Sequence, residues 1–322
     1  MPVFPQRKTP TSQSGRPAVR MLAIGPESAG QRVDNFLMKV CKGVPKSHIY
    51  KAIRNGQVRV NKGRVQVDHR LADGDMLRIP PLRLPAAGEP RKVPPFAFPV
   101  VFEDEAIVVV DKPAGVAVHG GSGVSFGVIE QLRAARPEAR FLELAHRLDR
   151  ETSGLLIIAK QRKALLAVHD LMRERGGRKL YQALVVGDWV NERQHIRKPL
   201  LKFLTPSGER RVKVDAEGKQ AHTIVTLLKR FGRYTLVEAE LRTGRTHQIR
   251  VHLASSGHPI VGDDKYGSDQ VRDHFARLGF KRMFLHAVRL EIPHPLTGEP
   301  LVLEAPLPAA CMDILDYLEQ EK

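Results

Sequence analysis

The chain has 322 residues, with 52 Lys and Arg against 35 Asp and Glu, giving a formal net charge of +17 at pH 7. Two cysteines far apart, Cys41 and Cys311, exclude a disulfide framework and a zinc module. No run approaches 18 continuous apolar residues, which excludes a helical membrane span, and the basic start has no signal-like apolar stretch. The expectation is a soluble, reduced, cytoplasmic protein of one large domain or two ordinary ones. The charge is uneven: residues 1–95 hold 18 Lys and Arg against 6 Asp and Glu. A basic front third joined to a nearly balanced remainder suggests a nucleic-acid anchor attached to something else.

Residues 1–20 carry too few apolar side chains to fold and are expected to form a disordered basic tail. A compact module follows over 21–80. Val33, Phe36, Leu37 and Val40 fall at i, i+3, i+4 and i+7, the pattern of a helix with one apolar face. A second helix should start at Pro45 and Lys46, carry Ile49 and Ile53 inward and stop at Asn55-Gly56. Lys46, Lys51 and Arg54 are then left towards solvent, a surface suited to RNA phosphates. Strands are predicted over 58–60 and 65–67 around a turn at Asn61-Lys62-Gly63, with a closing strand over 74–79. Seven prolines from Pro80 to Pro99 predict a semi-stiff linker over 81–99, which leaves a second domain over 100–322.

That domain opens with a buried strand over 106–110 and a proline-fixed turn at Lys112-Pro113-Ala114-Gly115. The glycines at 120, 121, 123 and 127 lack the spacing and the Gly-Lys-Ser/Thr of a phosphate loop, so no nucleotide cofactor is expected. Phe126, Ile129 and Leu132 suit a helix ending before Pro137. His146-Arg147-Leu148-Asp149-Arg150-Glu151-Thr152-Ser153-Gly154 then runs into an apolar strand, holding one aspartate on a rigid base between two arginines. By itself Asp149 reads first as a turn residue bonding its own backbone. Leu165, Val168 and Met172 outline a helix stopped by Gly176-Gly177, and Tyr181, Ala183 and Val185 share one face of the next strand. Residues 191–220 read as a solvated hairpin face or an RNA-contacting loop. In Thr243-Gly244-Arg245-Thr246-His247-Gln248-Ile249-Arg250, Thr246 is positioned to cap a helix facing Ile249 and Leu253 inward. His247 and His252 are five apart without the Glu of a zinc-binding helix, so no metal is expected. Gly262-Asp263-Asp264-Lys265-Tyr266-Gly267 reads as a structural turn, strands over 284–292 and 301–303 complete a mixed sheet, and 314–318 forms a short packed helix.

The His-Arg-Leu-Asp-x-x-Thr-Ser-Gly segment resembles the active-site signature of RluA-type RNA pseudouridine synthases. Lys112-Pro113-x-Gly115, Lys179-x-Tyr181-x-Ala183 and the 243–250 segment resemble further motifs of that family. Arg32-Val33-Asp34 and Ile53-Arg54-Asn55-Gly56-x-Val58-x-Val60-Asn61 resemble the S4 RNA-binding domain. The resemblance implies an α+β chain: an S4-like domain of two helices and a hairpin, then a catalytic domain on a mixed, largely antiparallel sheet. It also implies Asp149 as the catalytic residue, Arg250 as its partner and Tyr181 as a platform for the target base. Arg147 would fill the space that the base leaves, and Arg245, ranked below Arg250, would meet phosphate. The implied reaction is isomerisation of uridine in 23S ribosomal RNA, free or in a large-subunit assembly intermediate, by a monomer needing no cofactor. A carboxylate is wanted where positive charge builds as a glycosidic bond lengthens. Attack at C1′, proton removal at C2′ and assistance by charge alone stay open. Two other classes fit less of the pattern: a nucleoside hydrolase or glycosylase pairing Asp149 with Glu151, and a non-catalytic rRNA-binding protein.

Overall fold

A computed structural model describes residues 19–41, 43–82, 92–121, 124–174 and 176–321. The chain divides into two compact units, Met1–Lys92 and Val93–Lys322. Residues 1–18 of the expected tail and 83–91 of the expected linker lie outside the described residues.

The smaller unit runs β1 (Arg20–Ala23), α1 (Val33–Val40), α2 (Lys46–Arg54), β2 (Arg59–Val60), β3 (Gly63–Arg64) and β4 (Met76–Ile79). Both helices sit where the apolar spacing puts them. Val33, Phe36 and Leu37 of α1 and Ile49, Ala52 and Ile53 of α2 are buried in one core, and Gly56, at φ +67°, turns the chain out of α2. The sheet is antiparallel in the order β1-β4-β2-β3. Two details correct the sequence reading. Asn61 and Lys62 both take positive φ and close a two-residue hairpin pairing Val60 with Gly63, so the return strand is Gly63–Arg64 and not 65–67. Val65 and Val67 alternate because they pack on the core, but they belong to no strand. Arg20, placed in the tail by composition, starts a strand on the edge of β4.

The larger unit contains β5 (Val100–Glu103), β6 (Ile107–Lys112), α3 (Val128–Ala135), β7 (Glu143–Leu144), β8 (Ser153–Ala159), α4 (Arg162–Glu174) and β9 (Arg178–Val186). It continues with β10 (Arg193–Ile196), β11 (Leu200–Leu204), β12 (Arg210–Val214), β13 (Thr223–Phe231), β14 (Tyr234–Leu241), α5 (Gln248–Ala254) and α6 (Asp269–Arg277). β15 (Leu285–Pro293), β16 (Pro300–Glu304) and α7 (Ala309–Gln320) complete it. The main sheet has the order β10-β13-β14-β9-β15-β8-β6-β5, with β16 on β15 and β7 on β8. Every pairing in it is antiparallel except β8 with β15. Phe96 and Phe98 pack edge-to-face, 5.1 Å between centroids, against this unit's core, so the last part of the proline-rich stretch belongs to the larger unit and not to a spacer.

Strand β8 is buried along its whole length. Leu156 and Ile158 point into the core shared with α3, α5 and α7, and Leu155, Ile157 and Ala159 into the one covered by α4. β6 alternates in step beside it, Val108 and Val110 against Ile107 and Val109. The parallel contact of β8 with β15 spans only Ser153↔His286 and Ala287↔Gly154 before the strands diverge. Gly154 makes that approach possible: it sits at φ +106°, and a Cβ there would lie 2.3 Å from the Ala287 carbonyl oxygen. The loop carrying Asp149 enters the sheet at this junction.

Candidate active site

The loop 146–152 is pinned from three sides. At its start, His146 Nε2 accepts a hydrogen bond from the Ile157 amide at 3.0 Å. At its end, Ser153 Oγ lies 2.8 Å from Nδ1 of the fully buried His286, whose Nε2 faces the Ala305 carbonyl at 3.0 Å. Since that carbonyl can only accept, His286 donates from Nε2, and its Nδ1 takes the hydroxyl proton of Ser153. Burial pushes both His146 and His286 down to about 4, so both are neutral. From beneath, the fully buried Lys112 donates to the carbonyls of Pro113, Val116 and Arg150 at 2.8, 2.8 and 3.1 Å. Burial lowers its amine to about 7, with Glu151 working in the opposite direction. Three acceptors match the three N–H groups of an ammonium, so the geometry favours the charged form more than burial alone would. The proline-fixed turn thus carries the cation that holds the backbone of the loop bearing Asp149.

Above the loop lies an open cleft of about 430 Å³ lined by Arg147, Asp149, Tyr181, Arg245, His247 and Arg250 among others. Tyr181 comes from β9 between β14 and β15, and Arg250 from α5, which follows β14 directly. Asp149, Arg147, Tyr181, Arg245 and Arg250, from three segments well separated in sequence, therefore line one cleft, as expected. The other three candidates, Lys46, Lys51 and Arg54, share one exposed face of α2 around Tyr50 in the smaller unit. There the Lys46 ammonium lies 5.2 Å and the Arg54 guanidinium 6.0 Å from the Tyr50 ring centroid. The Tyr50 hydroxyl is anchored on Asp34 at 2.8 Å.

Asp149 is the only carboxylate lining the cleft among the described residues, which also brings in Arg173, Lys179 and Arg242. Its side chain is 21% exposed and faces two cationic or imidazole nitrogens: Arg250 Nη1 at 3.7 Å and His247 Nε2 at 3.9 Å. Arg250 does not pair with Asp149 as a fork. Its Nε and Nη2 grip the buried Asp263 at 2.8 and 2.6 Å, and Nη2 also reaches Asp264 at 3.0 Å. Burial works against its charge, but Asp263, with Asp149 and Asp264 behind it, outweighs that and holds the guanidinium above its usual range. The Asp263 turn therefore serves the site directly, where the sequence reading gave it structure alone. The same turn supplies Tyr266, 5.2 Å below the Arg250 guanidinium. Burial pushes the phenol of Tyr181 well above its usual range, and the charge of Asp149 adds to this.

Two further expectations are corrected. Thr246 does not cap α5: the N-cap is His247 in the left-handed region at φ 53°, and no side chain caps it. The Gln248 side chain instead accepts from the Arg245 amide at 3.0 Å and the Thr243 hydroxyl at 2.8 Å. Glu151 does not share the cleft with Asp149. Its carboxylate is taken by Arg150 at 2.7 Å, because the turn at 149–152 points successive acids apart where an extended strand would align them. A carboxylate-pair hydrolase has no second acid here. Arg173, Lys179 and Arg242 were missed as cleft residues; the available signal was Lys179, two positions from Tyr181 on one strand face.

Residues 106–255 match the RNA pseudouridylate synthase family and residues 31–77 the S4 domain. The chain is 50% identical over 301 residues to the ribosomal large subunit pseudouridine synthase C of Yersinia pestis, covering 92% of this chain and 94% of that one. It is also 50% identical over 299 residues to the protein of the same name from Escherichia coli K12, covering 90% and 94%. Among solved structures, human RNA pseudouridylate synthase domain containing 4 superposes with a TM-score of 0.56 at 26% identity, covering 69% of this chain and 93% of that one.

Proposed function

Because this chain belongs to the RNA pseudouridylate synthase family, we propose that it isomerises uridines of large-subunit ribosomal RNA, with Asp149 as the catalytic residue. The curated relatives' names point to that RNA as substrate, and the 23S molecule, alone or in an assembling particle, is the form assigned here. In this reaction the N1–C1′ bond breaks, the uracil turns, and C5 joins C1′. A proton leaves C5 and one is gained at N1, so nothing is oxidised and no outside group enters.

The observation that carries the reading is a single carboxylate on a pinned loop in an open cleft otherwise rich in cations. The cations hold the phosphates, and the lone acid meets the ribose where positive charge develops. Asp263 fixes Arg250 so that its remaining nitrogen aims at Asp149. A duplex base must be swung out, at a cost of a few kcal/mol. Tyr181 offers the ring on which the base stacks, Arg147 fills the gap behind it, and Arg245 takes a flanking phosphate. Lys46, Lys51 and Arg54 anchor more distant RNA. No helix among the described residues is long and apolar enough to cross a membrane, and a monomer acting where ribosomes are built, in the cytoplasm, accords with the substrate.

The test is to map pseudouridines in ribosomal RNA from cells with the protein, without it, and with Asp149→Asn in its place. Specific sites should vanish without the protein and stay absent with the variant. Sites restored by Asp149→Asn would contradict the assignment.

A further inference from the structure

The Asp149 carboxylate has two oxygens, and each is faced by a different nitrogen. Arg250 Nη1 stands 3.7 Å from Oδ2, and His247 Nε2 stands 3.9 Å from Oδ1. Arg250 has little freedom to do more, since its other nitrogens are committed to Asp263 and Asp264. His247 is held from its far side: Nδ1 lies 2.7 Å from the Tyr266 hydroxyl. That hydroxyl already accepts the Val212 amide proton at 3.0 Å.

Hydrogen-bond direction then propagates along the chain. The Val212 N–H can only donate, so the phenol accepts there and has its own proton to place. Giving it to Nδ1 makes that nitrogen an acceptor and puts the imidazole proton on Nε2, facing Asp149. The opposite tautomer would leave the phenolic proton without this acceptor and turn the Nε2 lone pair towards a carboxylate oxygen. Both ends of the ring therefore select the same form. Burial lowers the imidazole below its usual value, which favours the neutral ring. The backbone marks the residue separately: His247 sits at φ 53°, a region that non-glycine residues rarely take, and it is the residue that opens α5.

We propose that His247 is a positioning residue for the isomerisation, locked by Tyr266 as the Nε2–H tautomer so that one neutral donor orients the Asp149 carboxylate from the side that Arg250 does not reach. The gap of 3.9 Å closes to a hydrogen bond when substrate seats the carboxylate, as catalytic contacts commonly tighten on binding. The Val212–Tyr266–His247 chain also ties the β11–β12 hairpin to the orientation of Asp149. This proposal rests on Asp149 being the catalytic residue.

The experiment uses the full-length protein and an unmodified large-subunit rRNA transcript under single turnover, with RNA affinity measured in parallel. Asn tolerates positive φ, places its amide where Nδ1 was and reaches nothing at Nε2. His247→Asn should therefore slow the reaction by about 100-fold and change RNA affinity by less than about 3-fold. His247→Gln, which carries an N–H out to the Nε2 place, should recover most of that loss. In ¹⁵N-histidine-labelled protein His247 should show the Nε2–H signature, and Tyr266→Phe should mix the tautomers and slow turnover. A wild-type rate in His247→Asn, no recovery in His247→Gln, or an Nδ1–H signature in the unaltered protein would each overturn the proposal. Asp149→Asn runs alongside. If it makes product, the underlying assignment fails; if it is dead while His247→Asn is unimpaired, only the role of His247 fails.

Discussion

The two units use arginine and lysine in opposite ways. On α2, Lys46, Lys51 and Arg54 stand on an open surface around one tyrosine, above a small core. In the larger unit Arg250 is buried, its fork fixed on Asp263, and Lys112 is spent on three carbonyls under the loop that carries Asp149. Attracting a polyanion needs only charge near a surface, and long-range attraction tolerates loose side chains. Holding one carboxylate in a fixed place needs backbone fixed from several sides, and that takes a sheet wide enough to bury the fixings.

Removing a buried fixing should therefore cost far more than removing a surface cation. Asp263→Asn leaves the buried Arg250 without its main counter-charge and should destabilise the larger unit by about 3 to 5 kcal/mol, read as a fall in the urea midpoint, with loss of activity. A midpoint shift below about 1 kcal/mol would show that Arg250 is not held as described. Acid attacks the same scaffold. An unfolded histidine takes up its proton near 6.5, whereas His146 and His286 hold off until about 4. Between those values these two rings bind more protons in the unfolded chain than in the native one, so their contribution to stability is flat above pH 6.5 and falls as the pH drops towards 4. The loss should reach roughly 3 kcal/mol for each ring at most, seen in urea midpoints at pH 7.5, 5.5 and 4.5. Replacing Lys46, Lys51 and Arg54 together by Gln should leave stability within about 0.5 kcal/mol. It should reduce the slope of log affinity against log salt by roughly 2 to 3, since each phosphate contact contributes 0.7 to 0.9. An unchanged slope would move the anchor elsewhere.

The sequence disclosed elements that bury a regular stripe. α1 and α2 lie at the predicted spacing because apolar residues recur on one face and Pro45 and Asn55-Gly56 punctuate the second helix. β8 follows from an uninterrupted apolar run, and β9 from the alternation that puts Tyr181, Ala183 and Val185 on one face. Elements that bury little were illegible. β1 is an edge strand with three of its four residues exposed, and α6 buries only Phe275. β13 loses its alternation where the register shifts between Leu227 and Lys229. The site shows the same division. Asp149, Tyr181 and Arg250 are carried by local motifs and do share the cleft. Asp263 and Tyr266 act across the fold on Arg250 and His247, and nothing near them in sequence marks that role. The reach between Arg250 and Asp149 is likewise a tertiary outcome, set by where the Asp263 turn holds the guanidinium.

Single-turnover pseudouridine formation and RNA affinity, measured together for Asp149→Asn and for the Lys46, Lys51 and Arg54 triple variant, test the division most directly. Asp149→Asn should lose product by about 10³-fold or more with affinity unchanged, while the triple variant should bind weakly yet react at the normal rate once RNA is saturating. Product from Asp149→Asn, or a slow reaction in the triple variant at saturation, would contradict the assignment of chemistry to one unit and anchoring to the other.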